Sequence, residues 1–396
     1  MRYKPSVFPQ RGDELMSGLI NKTSLDPHAT TPLCEASRRA MQHLLASGLG
    51  NPSSIHGSGQ AARHWLERAR AQVAAAVDCP PRCVVFTSGA TEANALAWQS
   101  VSRVGTGTAV TTHVEHAGVT MLADEAESKG WQVVRLSLSP KGNLHLHELP
   151  PSWEFASALM VSNELGLRLP VEELCRQTRN QGGLFHTDAT QALGKINLKA
   201  LDADFISLSA HKIGGPSGVG ALVVNDGVEL APLWPGHQER GLRAGTENLL
   251  GVVGFGAACE DLPTRIAAMD RVRKLRDSLA TGIANLGTEC LRHLDNVDPK
   301  LETGSCLSVA FLGIDAADLV MGLDIEGIAI SAGSACSSGT LQPSPVIAHL
   351  VRDQDRRQAI AKGTIRISLG PENTEQDVEH ALRGLKTTLT RLTNLR

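Results

Sequence analysis

Between Val84 and Val224 short apolar, β-rich runs alternate with stretches of helical spacing, and few architectures satisfy that pattern. Val84–Phe86, Ala109–Thr112, Val133–Leu138, Ala158–Val161, Leu184–His186, Phe205–Leu208 and Gly220–Val224 read as strands, with a helix near Val119–Ser128. Continuous apolar strands need cover on both faces. The pattern therefore predicts a largely parallel sheet with helices on either side. Further on, Leu262–Leu291 has helical spacing and few breakers. It is expected to bridge to a smaller α/β unit with strands at Leu307–Phe311, Ile328–Ser331 and Ile365–Ser368 and a last helix at Thr374–Leu392. The expected organisation is an N-terminal extension over 1–21, disordered or preceding a true start at Met16, then a large unit over 22–263 and a smaller one over 264–396. The arm near Asn21–Gly48 is expected to pack with the smaller unit.

The charge balance is close to neutral, with 38 Lys+Arg against 41 Asp+Glu and a net charge of -3. That removes the electrostatic case for a nucleic acid or an anionic membrane. Aromatics are only 3%, too few for base-stacking platforms. No run approaches the about 18 apolar residues of a membrane span. The first 21 residues lack the apolar stretch of a secretory signal. The eight cysteines are scattered, which reads as reduced thiols in a cytoplasmic protein, without a metal.

Several residues suit catalysis. Lys212 follows a predicted buried strand and precedes Gly214-Gly215-Pro216, where a solvated turn lysine competes with a Schiff-base former for a carbonyl cofactor. Asp188 ends another strand, facing the crevice where α/β enzymes bind ligands. It is either a capping residue or an acid for a cofactor's ring nitrogen. Ser88-Gly89-Ala90-Thr91-Glu92 opens a helix with small residues whose N–H groups suit a phosphate, or is a plain N-cap. Cys336 lies in a loop of Gly, Ala and Ser, an unusual setting for an inert buried thiol and a suitable one for a reactive thiolate. His116 after Glu115 is a structural histidine or a site residue. Asn163-Glu164 is turn chemistry or part of a site. Arg366, inside an apolar strand, needs an anion: a protein carboxylate or a substrate's.

Together these pieces resemble the cysteine desulfurases, the NifS/IscS-like branch of the class V aminotransferases. The resemblance runs from about Leu25 to Leu392. It rests on Asp26–Pro32, Gly50–His56, Thr87–Asn94, Glu115-His116, Ser162–Gly166, His186–Lys195, Ser209–Gly220, Gln238–Asn248, Ser331–Gly339 and Ile365–Gly370. It implies a pyridoxal 5'-phosphate-dependent transferase of fold type I, with a mostly parallel seven-stranded sheet in the large domain. It also implies a homodimer acting on L-cysteine and handing sulfur to an acceptor protein such as an iron–sulfur scaffold. By the same resemblance Lys212 links to the cofactor, Asp188 pairs with its ring nitrogen, Gln191 touches its hydroxyl and His116 stacks on the ring. Ala90, Thr91, Ser209 and His211 hold the phosphate, and Thr246 reaches the phosphate of the other subunit. Asn163 and Arg366 take the substrate carboxylate, and Cys336 takes the sulfur as a persulfide. A selenocysteine lyase, a cysteine sulfinate desulfinase and a non-catalytic partner-binding homologue are the alternatives. His28 departs from the pattern, standing where the family carries asparagine, serine or tyrosine.

Overall fold

The structure, a computed structural model, describes residues 23–103, 105–139, 141–198, 201–295, 297–333, 343–351 and 354–394. In chain order the strands are β1 (Thr23–Ser24), β2 (Val84–Thr87), β3 (Thr108–Thr112), β4 (Gln132–Leu136), β5 (Phe155–Ser157), β6 (Leu184–Asp188), β7 (Phe205–Ser209), β8 (Gly220–Val224), β9 (Cys290–Arg292), β10 (Cys306–Phe311), β11 (Ile328–Ala329), β12 (Ser331–Ala332) and β13 (Thr364–Ser368). The helices that matter below are α1 (Glu35–Ser47), α2 (Gly57–Val77), α3 (Ala90–Ser102), α4 (Ala117–Ser128), α5 (Val171–Asn180), α6 (Leu249–Glu260), α7 (Leu262–Ala267), α8 (Met269–Ala284), α9 (Ala316–Ile325) and α10 (Pro345–Leu350).

The large sheet has seven strands in the order β2-β8-β7-β6-β5-β3-β4. Only β8 runs against its neighbours, β2 and β7. The mostly parallel sheet expected from the alternating pattern is therefore present. Strands β5, β7 and β8 inside the sheet, and β2 at one edge, are buried at every position, as strands covered on both faces must be. The carboxyl ends of β2, β3, β5, β6 and β7 all open on one side of the sheet, where open α/β folds place their ligands.

Beneath that edge a polar chain crosses three strands. Trp98 Nε1 donates to Ser157 Oγ at 3.1 Å, His186 Nδ1 lies 2.8 Å from the same hydroxyl, and His186 Nε2 lies 3.0 Å from Ser207 Oγ. Burial pushes His186 down to about 4, so a neutral ring completes the chain without a buried charge.

Helices α1 and α2 pack on α6, which is buried along almost its whole length. A helix apolar all round has no solvent face, and α6 accordingly reads as core. An ion pair locks this layer to the sheet. Arg70 of α2 grips Glu239 through two bonds of 2.6 and 2.7 Å and donates to Val84 O, while Glu239 accepts from Phe86 N at 2.8 Å. Removing one partner of such a buried pair costs about 3–5 kcal/mol, because the other charge is stranded.

The second sheet, β12-β13-β10-β9, is antiparallel. Its core includes Leu25 with Val272, Leu279, Phe311, Leu319 and Ile365. β1 pairs with β11, and Leu25 N–H and C=O bond to Ala329 and Ser368. From there the arm runs across to the large sheet: Thr31 bonds His211 O and Gly214 N, and Cys34 N donates to Gly214 O.

Three expectations fail in detail, the first being the strand expected at Ile328–Ser331, which divides between β11 and β12 in different sheets. The strand expected at Ala158–Val161 ends at Ser157; beyond it Ala158 and Met160 donate to His186 O and Asp188 O, but the chain then turns toward the cavity. The helix expected over Leu262–Leu291 is two helices, α7 and α8, followed by β9. Helical spacing does not reveal that break, and Cys290–Arg292 extends only because β10 offers it a ladder.

Candidate active site

A cavity of about 540 Å³ opens at the carboxyl edge of the large sheet. Its lining includes Ala90, Thr91, His116, Asn163, Asp188, Gln191, Ser209, His211, Lys212 and Arg366. Nearly all the residues singled out in the sequence therefore converge, from segments spread over almost 280 positions (366 − 90 = 276). Thr246 is exposed and outside this lining. Cys336 lies outside the described residues.

Each wall has a local cause. β2 delivers Ser88 to the edge, and Gly89, at φ 157°, turns the chain into α3. No side chain caps α3, which leaves its first N–H groups without a capping acceptor, and Ser88–Thr91 at this start line the cavity. Gly220 sits against this turn so closely that a Cβ there would meet Gly89 Cα at 2.7 Å. Only glycine permits that approach.

Asp188 ends β6 and is held by two donors: Asn94 Nδ2 at 2.8 Å and the Thr190 N–H at 2.9 Å. Both orient the carboxylate as an acceptor. Asn94 was present in the quoted motif but its contact with Asp188, across 94 positions, has no local signature.

His116 caps α4, its Nδ1 accepting from Gly118 N at 3.1 Å. In the neutral ring the proton consequently sits on Nε2. Beside it Glu115 is buried under Leu159 N and Thr112 Oγ1, and burial pushes its carboxyl up to about 8. At pH 7 Glu115 is mostly protonated, which spares the site a second buried negative charge next to Asp188.

Lys212 lies in the 3₁₀ turn after β7, and its Nζ donates to the backbone carbonyls of His28 and, at 2.8 Å, Ala29. Both of these partners are neutral carbonyl oxygens. His211 bonds Thr30 Oγ1 at 3.2 Å, and burial with the Lys212 charge pushes it down to about 4.

Gln191 is pinned at both ends of its amide. Its Nε2 donates to His28 O at 2.9 Å, and its Oε1 accepts from Lys195 Nζ at 2.8 Å. Lys195 is partly buried, and that burial with the charges of Lys212 and Arg265 pushes it down to about 7. Sequence reasoning quoted Lys195 in a motif without assigning it a task. The signal was there: a lysine four residues after Gln191 reaches back along one face of the turn.

His28 shows how its unusual identity is accommodated. Asn163 O can only accept, so His28 Nδ1 donates to it at 3.0 Å, and Nε2 then takes the Ser305 hydroxyl at 3.0 Å. Burial, helped by the charges of Lys195 and Arg366, holds the ring well below its ordinary value and therefore neutral.

Arg366 is 2% exposed and does find a protein carboxylate, Asp26, at 2.8 Å. The same Nη2 bonds Ser331 Oγ at 3.1 Å, while Nε, also buried, has no hydrogen-bond partner among the described residues. One carboxylate does not saturate five donors. A second anion in the cavity has a donor waiting. The segments flanking 334–342 are anchored at this end: Ser331 donates to Asp26 at 2.6 Å, and Ser344 donates to Glu164, next to Asn163.

A model of the aminotransferase class-V family matches residues 23–381. A cysteine desulfurase of Enterobacter agglomerans is 37% identical over 381 residues, covering 94% of this chain and 93% of its own. A solved structure of a NifS-like protein superposes with a TM-score of 0.84 at 32% identity, over 93% of this chain and 99% of that one. A structure titled SspA in complex with cysteine gives a TM-score of 0.76 at 29% identity, over 89% and 100% of the two chains.

Proposed function

Since the chain belongs to the class-V aminotransferases and within them to the cysteine desulfurases, we propose that it works on L-cysteine with pyridoxal 5'-phosphate and collects the sulfur on Cys336. One observation carries this assignment: Lys212, Asp188 and the uncapped start of α3 face a single cavity. The donor set fits the cofactor. A phosphate needs N–H and hydroxyl donors at a helix start, a protonated ring nitrogen needs an anion, and its aldehyde needs an amine.

When bound, pyridoxal 5'-phosphate supplies a sink for the electrons released at the substrate's α-carbon. Ala90, Thr91, Ser209 and His211 hold its phosphate, and Thr246 serves the neighbouring subunit of a homodimer. Asp188 keeps a proton on the ring nitrogen, with Asn94 and Thr190 fixing the carboxylate. Gln191, fixed by Lys195, points an N–H at the ring hydroxyl. His116 covers the ring and holds a proton at Nε2. Lys212 binds the cofactor, then as a free amine takes the α-proton. Arg366 and Asn163 receive the substrate carboxylate. The Cys336 thiolate attacks the substrate sulfur: the S–S bond forms, the C–S bond breaks, and the carbon skeleton takes a proton and leaves as alanine. The persulfide then passes to an acceptor protein, in the cytoplasm. Among the described residues no helix is long and apolar enough to cross a membrane.

The test is product analysis. Incubated with L-cysteine and a thiol reductant, the holoenzyme is expected to release alanine and sulfide in equal amounts. Alanine release confined to selenocysteine or cysteine sulfinate would overturn the substrate assignment. Sedimentation checks the shared site: a dimer is expected, and a fully active monomer would remove Thr246 from it.

A further inference from the structure

Four of the chain's fourteen histidines gather around Glu148 at the edge of the large sheet, outside the catalytic cavity. His113 directly follows β3. His145, His147 and Glu148 belong to a short 3₁₀ turn beyond β4, the edge strand. His349 is on α10. We propose that His145, His147 and Glu148 bind a divalent metal ion of the zinc type, its fourth position taken by water.

The spacing is that of a site needing little adjustment. The ligand atoms of the three residues all lie within 4.8 Å of one another. His145 Nδ1 is 3.4 Å from Glu148 Oε1, and the two imidazole centroids are 5.0 Å apart. Bonds of about 2.0–2.2 Å in a tetrahedron set ligand atoms roughly 3.3–3.5 Å apart. One pair already has that separation, and His147, the exposed member, can close by a side-chain rotation.

The turn is also braced. Glu148 Oε2 accepts from Ser137 N at 2.7 Å, which leaves Oε1 on the side of His145. The backbone closes as well: His145 N donates to Ser137 O and Glu148 N to His145 O, both at 2.9 Å. An oriented carboxylate beside two imidazoles is a ligand set in which bonds from outside the first ring of atoms fix the geometry. Two nitrogens and one oxygen favour zinc or its transition-metal neighbours over magnesium or calcium, which take oxygen.

The second histidine pair suits a cation next door. His113 and His349 stack at 3.8 Å with planes 17° apart. Burial lowers both rings, and their proximity lowers His113 further. The Glu148 charge acts on both. An ordinary surface ion pair accounts for His145 with Glu148. It leaves the placement of His147, with its ring 5.0 Å from that of His145, unaccounted for.

The experiment uses the full, cofactor-loaded chain carrying Cys336→Ala, which removes that thiol as a competing ligand. After dialysis against a chelator, zinc chloride is titrated calorimetrically, and X-ray absorption is recorded at the zinc edge. One zinc per chain is expected, with imidazole and oxygen scattering and no sulfur. His147→Ala and Glu148→Gln should each weaken binding by at least about tenfold. An unchanged visible spectrum of the bound cofactor shows that the variants are folded. No uptake by the parent chain, equal affinity in His147→Ala, or sulfur bound to the zinc would each overturn the site.

Discussion

Lys212→Ala is expected to abolish turnover of L-cysteine and the visible absorbance that lysine-bound pyridoxal 5'-phosphate gives. Nζ is held at the mouth of β7 by two backbone carbonyls, those of His28 and Ala29, and the lysine lines the cavity. No other described lysine lines the cavity, and Lys195 has its Nζ committed to Gln191. Loss of a positioned base alone costs on the order of 10²–10⁴-fold in rate. The variant should stay folded, because its partners are carbonyls of the arm, which an entering water can satisfy. A wild-type spectrum with wild-type turnover would remove Lys212 from the chemistry.

Cys336→Ser separates cofactor chemistry from sulfur transfer. The variant should bind the cofactor and respond spectrally to L-cysteine as the parent does. It should form no persulfide, with sulfide release down by at least about 10³-fold, because a hydroxyl is a far poorer nucleophile toward sulfur than a thiolate. Four of the other seven thiols are poor substitutes. Burial pushes Cys306 and Cys79 up to about 12 and Cys175 to about 11, and it raises Cys259 as well. At pH 7 these groups remain thiols, in which form they neither attack sulfur nor carry it onward. Mass spectrometry after one turnover decides the matter. The extra sulfur belongs on the peptide containing Cys336; its appearance on Cys34, Cys83 or Cys306 would overturn the assignment.

Much of the site was legible because its parts are local. A lysine after a buried strand, an acid at a strand end and small residues opening a helix are each written within a few positions. The strand periodicity places all three on one sheet edge. What escaped depends on contacts between distant segments. His28 meets Ser305 across 277 positions, and Arg366 meets Asp26 across 340. Neither pairing has a spacing rule.

Arg366 shows the division. In an apolar strand, a guanidinium demands an anion whatever the fold, since an unpaired buried charge is prohibitively costly, and that demand was visible from Ile365-Arg366-Ile367 alone. Whether the anion came from the chain or from a ligand was not. The answer rests on β1 pairing with β11, which carries Asp26 to within 2.8 Å and leaves Nε open. The same holds for Lys195 and Glu115, whose side chains the sequence shows only as charges. Burial turns one into an amine near neutrality and the other into an acid that keeps its proton. Residue type and local order determined which groups this chain brings to its site. Only tertiary packing decided their partners and their charge, because both depend on how much water the fold removes and on which distant groups replace it.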